Sequence, residues 1–132
     1  MKLSSRAVYG IRVCTLIAAE TDPPVSVSAL AARTQLSEKY LEQILGSLVK
    51  GGVLASTRGA NGGYSLAVRA EDVSLFDILS AVDDAFEIGC EDGKCQKGNC
   101  PDKATFEGIE CEINKIFKSR TLKSIARMRE VL

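Results

Sequence analysis

A chain of 132 residues with 45% apolar side chains can bury one modest hydrophobic core, with or without a helical extension, and is too short for two independent catalytic domains. Its net charge of zero hides a segregation: residues 1–69 hold eight basic residues against four acidic, residues 70–102 two against nine, and residues 103–132 seven against four. A basic head, an acidic middle and a basic tail fit a DNA-binding module joined to a second function. The N-terminus MKLSSRAVYGIRVC lacks the continuous apolar core of a signal peptide, and charges interrupt every apolar stretch, so a cytoplasmic protein with no membrane partner is expected. In that reducing compartment, five cysteines point to metal binding or redox sensing rather than to structural disulfides.

Ser4 or Ser5 can cap a first helix, in which Val8, Ile11, Leu16, Ile17 and Ala18 recur at roughly helical spacing and which Asp22, Pro23 and Pro24 end. Ser28 is read as the cap of a short helix to Thr34. After a break at Gln35 and Leu36, Ser37 opens a second helix that runs to Lys50 and stops at Gly51 and Gly52. Two short helices across a tight turn read as helix-turn-helix. In the second, Leu41, Ile44, Leu45 and Leu48 form the inward stripe, which leaves Lys39, Tyr40, Gln43 and Ser47 on the outer face. Val53 to Thr57 and Tyr64 to Val68 then read as two strands joined by ArgGlyAlaAsnGlyGly, a hairpin with a basic tip.

Ser74 and Asp77 make a capping box for a helix through Val82. From Asp84 to Asp102 the periodic apolar pattern fades, and three cysteines sit in a glycine-containing loop. Asp102 is read as the cap of a long helix in which Phe106, Ile109, Ile113 and Ile116 step by three, four and three residues, the seam of a helix that packs along another helix. Thr121 caps a last helix to Arg129. The expected fold is mostly α with a small β-hairpin wing: a winged helix-turn-helix over residues 1–83, a cysteine-containing sensor loop over 84–102, and a dimerisation helix with a C-terminal helix over 103–132.

Recognition helices present their N-terminal residues to base edges. Ser37, Lys39, Tyr40 and Gln43 are therefore candidate DNA contacts; Gln can bond an adenine edge bidentately, and the others suit phosphate or base acceptors. Arg58 and Gly59 in the hairpin tip suit a narrow minor groove. Cys90, Cys95 and Cys100 are spaced CxxxxCxxxxC; thiolates so placed can converge on an iron–sulfur cluster or on zinc, although structural zinc sites more often use closer cysteine pairs or histidine, and the chain has no His. A disulfide switch is the intermediate alternative. Cys14 falls in the first helix's pattern as a core residue. Cys111 lies roughly 200° around its helix from the seam residue Ile109, which makes it a poor fourth ligand. With no His and no Ser or Cys beside an evident base, an enzyme is not expected.

Taken with those residues, the segments MKLSSRAVYGIR, LSEKYLEQILGSLVKGGVLASTRGANGGYSLA and DILSAVD resemble the Rrf2 family of bacterial winged-helix regulators, and especially its iron–sulfur members, over nearly the whole chain. The resemblance implies a homodimer on a double-stranded DNA operator, with the helix after the cysteine loop crossing to the partner. It places Ser37, Lys39, Tyr40, Gln43, Arg58 and Gly59 at the family's DNA contacts, and Cys90, Cys95 and Cys100 at its cluster cysteines, with a 2Fe–2S cluster preferred to a 4Fe–4S one. The chain departs from the family in three places. Its cysteines have four residues between them where better-known members have five, Lys103 replaces the histidine that some use as fourth ligand, and Val8 replaces an acid that others lend to the partner subunit. Asp102, Glu91 and Asp92 are the oxygen donors nearby, so the fourth ligand is open. The expected function is a repressor or dual regulator controlled by the cluster. Its rivals are a cluster-free regulator of the same fold, switched by cysteine oxidation, a sulfur metabolite or a partner enzyme, and a small iron–sulfur electron carrier.

Overall fold

The computed structural model describes residues 3–82 and 102–131. In chain order the elements are α1 (Ser5–Ala18), α2 (Val27–Thr34), α3 (Glu38–Lys50), β1 (Leu54–Thr57), β2 (Gly63–Leu66), α4 (Leu75–Val82), α5 (Lys103–Ser119) and α6 (Leu122–Val131). This is the winged helix-turn-helix with a long C-terminal helix that the periodicity implied.

Local chemistry sets most of the boundaries. The Ser4 hydroxyl accepts from the Ala7 N–H at 3.0 Å and starts α1, and Ser37 accepts from the Tyr40 N–H at 3.2 Å and starts α3; each hydroxyl satisfies an N–H that a helix leaves unpaired in its first turn. Ser74 and Asp77 close the expected capping box, the Asp77 N–H donating to Ser74 Oγ and the Ser74 N–H to Asp77 Oδ2. Thr121 caps α6 through the Ser124 N–H at 3.2 Å. Gln35 adopts a left-handed φ of 59° with its N–H on the Ala31 carbonyl, which makes the tight turn between α2 and α3.

Three expectations need correction. Ser26, not Ser28, caps α2, accepting from the Ala29 N–H at 3.2 Å. The reason lies just upstream: Val25 pairs with Tyr64 through two backbone hydrogen bonds of 2.8 and 2.9 Å, which hold the chain extended up to Ser26 and let the helix begin directly after it. The strands are also bounded differently, at Leu54–Thr57 and Gly63–Leu66, because the Val53 N–H is taken by the Leu48 carbonyl of α3, which leaves only the Ala67 N–H to Val53 carbonyl bond beyond the regular ladder, and Val68 is exposed. Asp102 does occupy the cap position of α5, but with φ −94° and ψ 2° its side chain makes no capping hydrogen bond.

The core lies between α1, α2, α3 and α4, and at its centre Ala7, Val13, Cys14, Leu30, Leu41, Ile44, Leu45, Leu48 and Ile78 do not touch solvent. Cys14 is among them, as its place in the apolar pattern implied, and burial pushes its thiol up to about 12. It stays protonated and behaves as a small apolar residue. Buried Thr34 meets its hydroxyl requirement locally, donating to the Leu30 carbonyl at 2.8 Å.

The chain after α5 returns to this body. Ser74 and Thr121 form an antiparallel bridge, the Leu75 N–H donates to the Arg120 carbonyl and the Leu122 N–H to the Val73 carbonyl, and Leu122 is fully buried in the core. Lys123 completes the junction with an ion pair to Glu71 at 2.7 Å, beside the pairs of Arg69 with Glu71 and Asp72.

Candidate nucleic-acid interface

Helix α3 is divided into two faces. Leu41, Ile44, Leu45 and Leu48 are completely buried, while Glu38, Lys39, Glu42 and Gln43 are exposed and Tyr40 is half-buried. The first two turns therefore offer Lys39, Tyr40 and Gln43 outward at the helix's positive end, where anions are favoured. Ser37 precedes them. Its oxygen accepts from the Tyr40 N–H, which leaves the hydroxyl proton available to an external acceptor.

The wing is a two-stranded antiparallel sheet in the register Leu54↔Leu66, Ala55↔Ser65, Ser56↔Tyr64 and Thr57↔Gly63. Its tip carries Arg58, exposed, followed by Gly59 at φ 112°, a left-handed conformation that a side chain would strain. At the other end of the turn Gly63 lies against the backbone of Val25, where a Cβ would collide with the Val25 carbonyl. That close approach permits the Val25–Tyr64 pairing and anchors the wing to the segment that leads into α2.

Sequence reasoning missed the contribution of α1. Arg6 donates from Nη2 to the Ser47 hydroxyl, and Ser47 in turn donates to the Gln43 carbonyl at 3.1 Å, so a guanidinium of α1 is joined to the outer face of α3. Tyr9 stands edge-on to Tyr40 with ring centroids 6.2 Å apart and planes at 89°, a favourable aromatic geometry. Arg12 sits over the Tyr9 ring at 5.5 Å. The signal available in sequence was the i, i+3, i+6 spacing of Arg6, Tyr9 and Arg12 on one stripe of α1. Nothing local says which helix that stripe lies beside.

Among the described residues the salt bridges join Arg33 to Glu20, Arg69 to Glu71 and Asp72, Lys103 to Glu107, and Lys123 to Glu71. Arg12, Lys39 and Arg58 have no acidic partner among them. The cations of α1, α3 and the wing tip thus keep their charge available to an outside anion.

Cys90, Cys95 and Cys100 lie outside the described residues, as do Glu91 and Asp92. Of the other thiols, Cys14 is buried and Cys111 is exposed on α5. No group of three or more His, Cys, Asp or Glu among the described residues could hold a metal. Along α5, Phe106 and Ile113 are half-buried and Ile109 and Ile116 exposed, 43% and 55% respectively. No helix among the described residues is long and apolar enough to cross a membrane.

A buried-stripe recognition helix behind a tight turn, followed by a hairpin with a cationic tip, defines a winged helix-turn-helix protein with a surface suited to DNA. The chain belongs to the Rrf2 family of iron-dependent transcriptional regulators, whose pattern it matches over residues 3–128. It is accordingly a DNA-binding transcription regulator and not an enzyme. The protein rrf2 of Nitratidesulfovibrio vulgaris is 42% identical over 85 residues, which are 64% of this chain and 57% of that protein. The HTH-type transcriptional regulator IscR of Vibrio atlanticus is 30% identical over an alignment spanning 100% of this chain and 79% of its own length. Among solved structures, CymR, the global cysteine regulator of B. subtilis, superposes with a TM-score of 0.79 at 26% identity, covering 97% of this chain and 98% of that one.

Proposed function

We propose that the chain is a cytoplasmic, homodimeric repressor or dual regulator that reads a double-stranded operator with Ser37, Lys39, Tyr40 and Gln43 of α3 and with Arg58 and Gly59 of the wing, and that an iron–sulfur cluster on Cys90, Cys95 and Cys100 controls its DNA binding. The observation that carries the DNA reading is the division of α3: a fully buried stripe on one side, and exposed Lys39 and Gln43 with half-buried Tyr40 on the other. Arg and Lys at phosphates supply affinity, and Gln at a base edge supplies discrimination.

The donor set fits a cluster. Three thiolates are ordinary iron–sulfur ligands; of the two remaining cysteines, Cys14 is buried and protonated in the core, and Cys111 lies outside the three-cysteine segment, exposed on α5. When bound, the cluster supplies an iron- and redox-sensitive cross-link within the segment that joins α4 to α5. The apolar residues Phe106, Ile109, Ile113 and Ile116 would pack against the same helix of a second copy, setting two recognition helices at the spacing of two half-sites.

Anaerobic purification with an absorption spectrum and an iron and sulfide count tests the cluster. Visible absorption should disappear with Ala at any one of Cys90, Cys95 or Cys100 and persist in Cys14→Ala and Cys111→Ala. The likeness to a cysteine regulator favours a second reading, the same scaffold without a cluster, switched by cysteine oxidation or a sulfur metabolite. That reading requires no iron or sulfide after reconstitution, and a disulfide form of it requires two sensitive cysteines and one silent.

A further inference from the structure

We propose that Arg12 binds a DNA backbone phosphate beside the base-reading turn of α3, so that α1 is a third DNA-contacting element together with the recognition helix and the wing. The proposal rests on the DNA-binding reading of α3 and extends it to a helix that this reading does not use. Its basis is the run Arg12, Tyr9, Tyr40: the guanidinium over one ring at 5.5 Å, and that ring edge-on to a residue in the first turn of α3 at 6.2 Å.

The two arginines of the stripe differ in what remains free. Arg6 is committed to the junction of the helices: Nη2 donates to Ser47 Oγ, and Nε is enclosed with no partner among the described residues. Arg12 is exposed and faces no acid among the described residues. The cation–π contact with Tyr9 at 5.5 Å restrains the guanidinium, and no hydrogen bond or ion pair among the described residues occupies its N–H groups, which can hold a phosphate with two parallel hydrogen bonds. Through Tyr9 and Tyr40 the guanidinium is linked to the first turn of α3, the end of the recognition helix that the DNA reading sets against the duplex. Holding the side chain in place beforehand lowers the ordering cost of the contact.

The test uses the full-length protein and a duplex selected with the wild type, with affinity measured by fluorescence anisotropy over a salt series. Arg12→Ala should weaken binding about threefold to tenfold at low salt, flatten the slope of log affinity against log salt by about 0.9, and leave base preference unchanged, the behaviour of one lost phosphate. Arg12→Lys, which keeps the charge without the planar fork, should fall between. Ethylation interference should lose one phosphate signal per half-site in Arg12→Ala. Unaltered affinity and slope in Arg12→Ala, while Arg58→Ala reduces both, overturns the Arg12 contact and leaves the DNA reading intact. A change of sedimentation from dimer to monomer in Arg12→Ala assigns the residue to a subunit contact and also overturns it. Failure of the wild type to retain any duplex in the selection overturns the DNA reading itself, and this contact with it.

Discussion

Helices α3 and α5 carry the same kind of apolar stripe and meet different fates. In α3, Leu41, Ile44, Leu45 and Leu48 are sealed by α1, α2 and α4 of their own chain. In α5, 17 residues long, no residue is buried, and Phe106, Ile109, Ile113 and Ile116 remain half-buried or exposed although Phe117 at the same helix's end packs on the core. Periodicity reports that a face is meant to be covered. It does not report whether the cover comes from the same chain, and the contrast is what supports the proposal that α5 packs against a second copy.

The largest test of this contrast is Leu45→Ala. Removing a fully buried side chain from the recognition helix loses its transfer energy and leaves a cavity, so unfolding stability should drop by about 2 to 5 kcal/mol, as measured by urea titration. Ile116→Ala should cost far less at protein concentrations where the chain is monomeric. A large loss there would show that α5 is already sealed by its own chain.

Ile113→Asp comes next. A carboxylate placed in the α5 seam would be desolvated and unpaired on association, raising the dimer dissociation constant roughly tenfold or more. Sedimentation against concentration checks this, and operator affinity should fall in parallel. A wild type that sediments as a monomer at micromolar concentration would break the comparison at its root.

On the opposite side of α3, Gln43→Ala should cost about 1 to 3 kcal/mol of operator binding and relax preference at one position per half-site. Selection from randomised duplexes reads this out directly. The variant should remain folded and dimeric, because Gln43 is exposed and its neighbours Ile44 and Leu45 hold the core.

The smallest effect is expected at Glu71. Its hydrogen bond with Lys123, and then the charges of Lys123 and Arg69, hold its carboxyl below the ordinary value of 4.5. A carboxyl depressed on folding adds stability above its unfolded value and loses it as pH falls through the folded one. Glu71→Gln should therefore lower Tm slightly at neutral pH, with the difference closing in acid and in high salt because the pair is exposed. A difference that grows on acidification would reverse the sign of the linkage.

The parts legible in the sequence were those governed by neighbours a few residues apart. Ser37, Ser74 with Asp77, and Thr121 announce helix starts because a short hydroxyl or carboxylate reaches N–H groups two or three residues on. Arg58 and Gly59 mark a turn because the backbone there needs a left-handed residue. The choice between Ser26 and Ser28 was not local. Both are serines ahead of the same apolar run, and only the pairing of Val25 with Tyr64, 39 positions away, settles it. Asp102 likewise stood where a cap belongs, but its backbone angles deny its side chain the reach.

By itself, then, the sequence determined the order of helices and hairpin, the buried face of α3, the outward placement of Lys39 and Gln43, and the core position of Cys14, since each follows from periodicity or capping chemistry within one element. The tertiary structure alone decided that Arg6 and Tyr9 meet the recognition helix, with Arg12 over the Tyr9 ring, and that Leu122 returns to the core through the Ser74–Thr121 bridge. These depend on pairings between residues tens of positions apart, chosen by how whole elements exclude water and satisfy backbone hydrogen bonds together, and no short-range pattern encodes them.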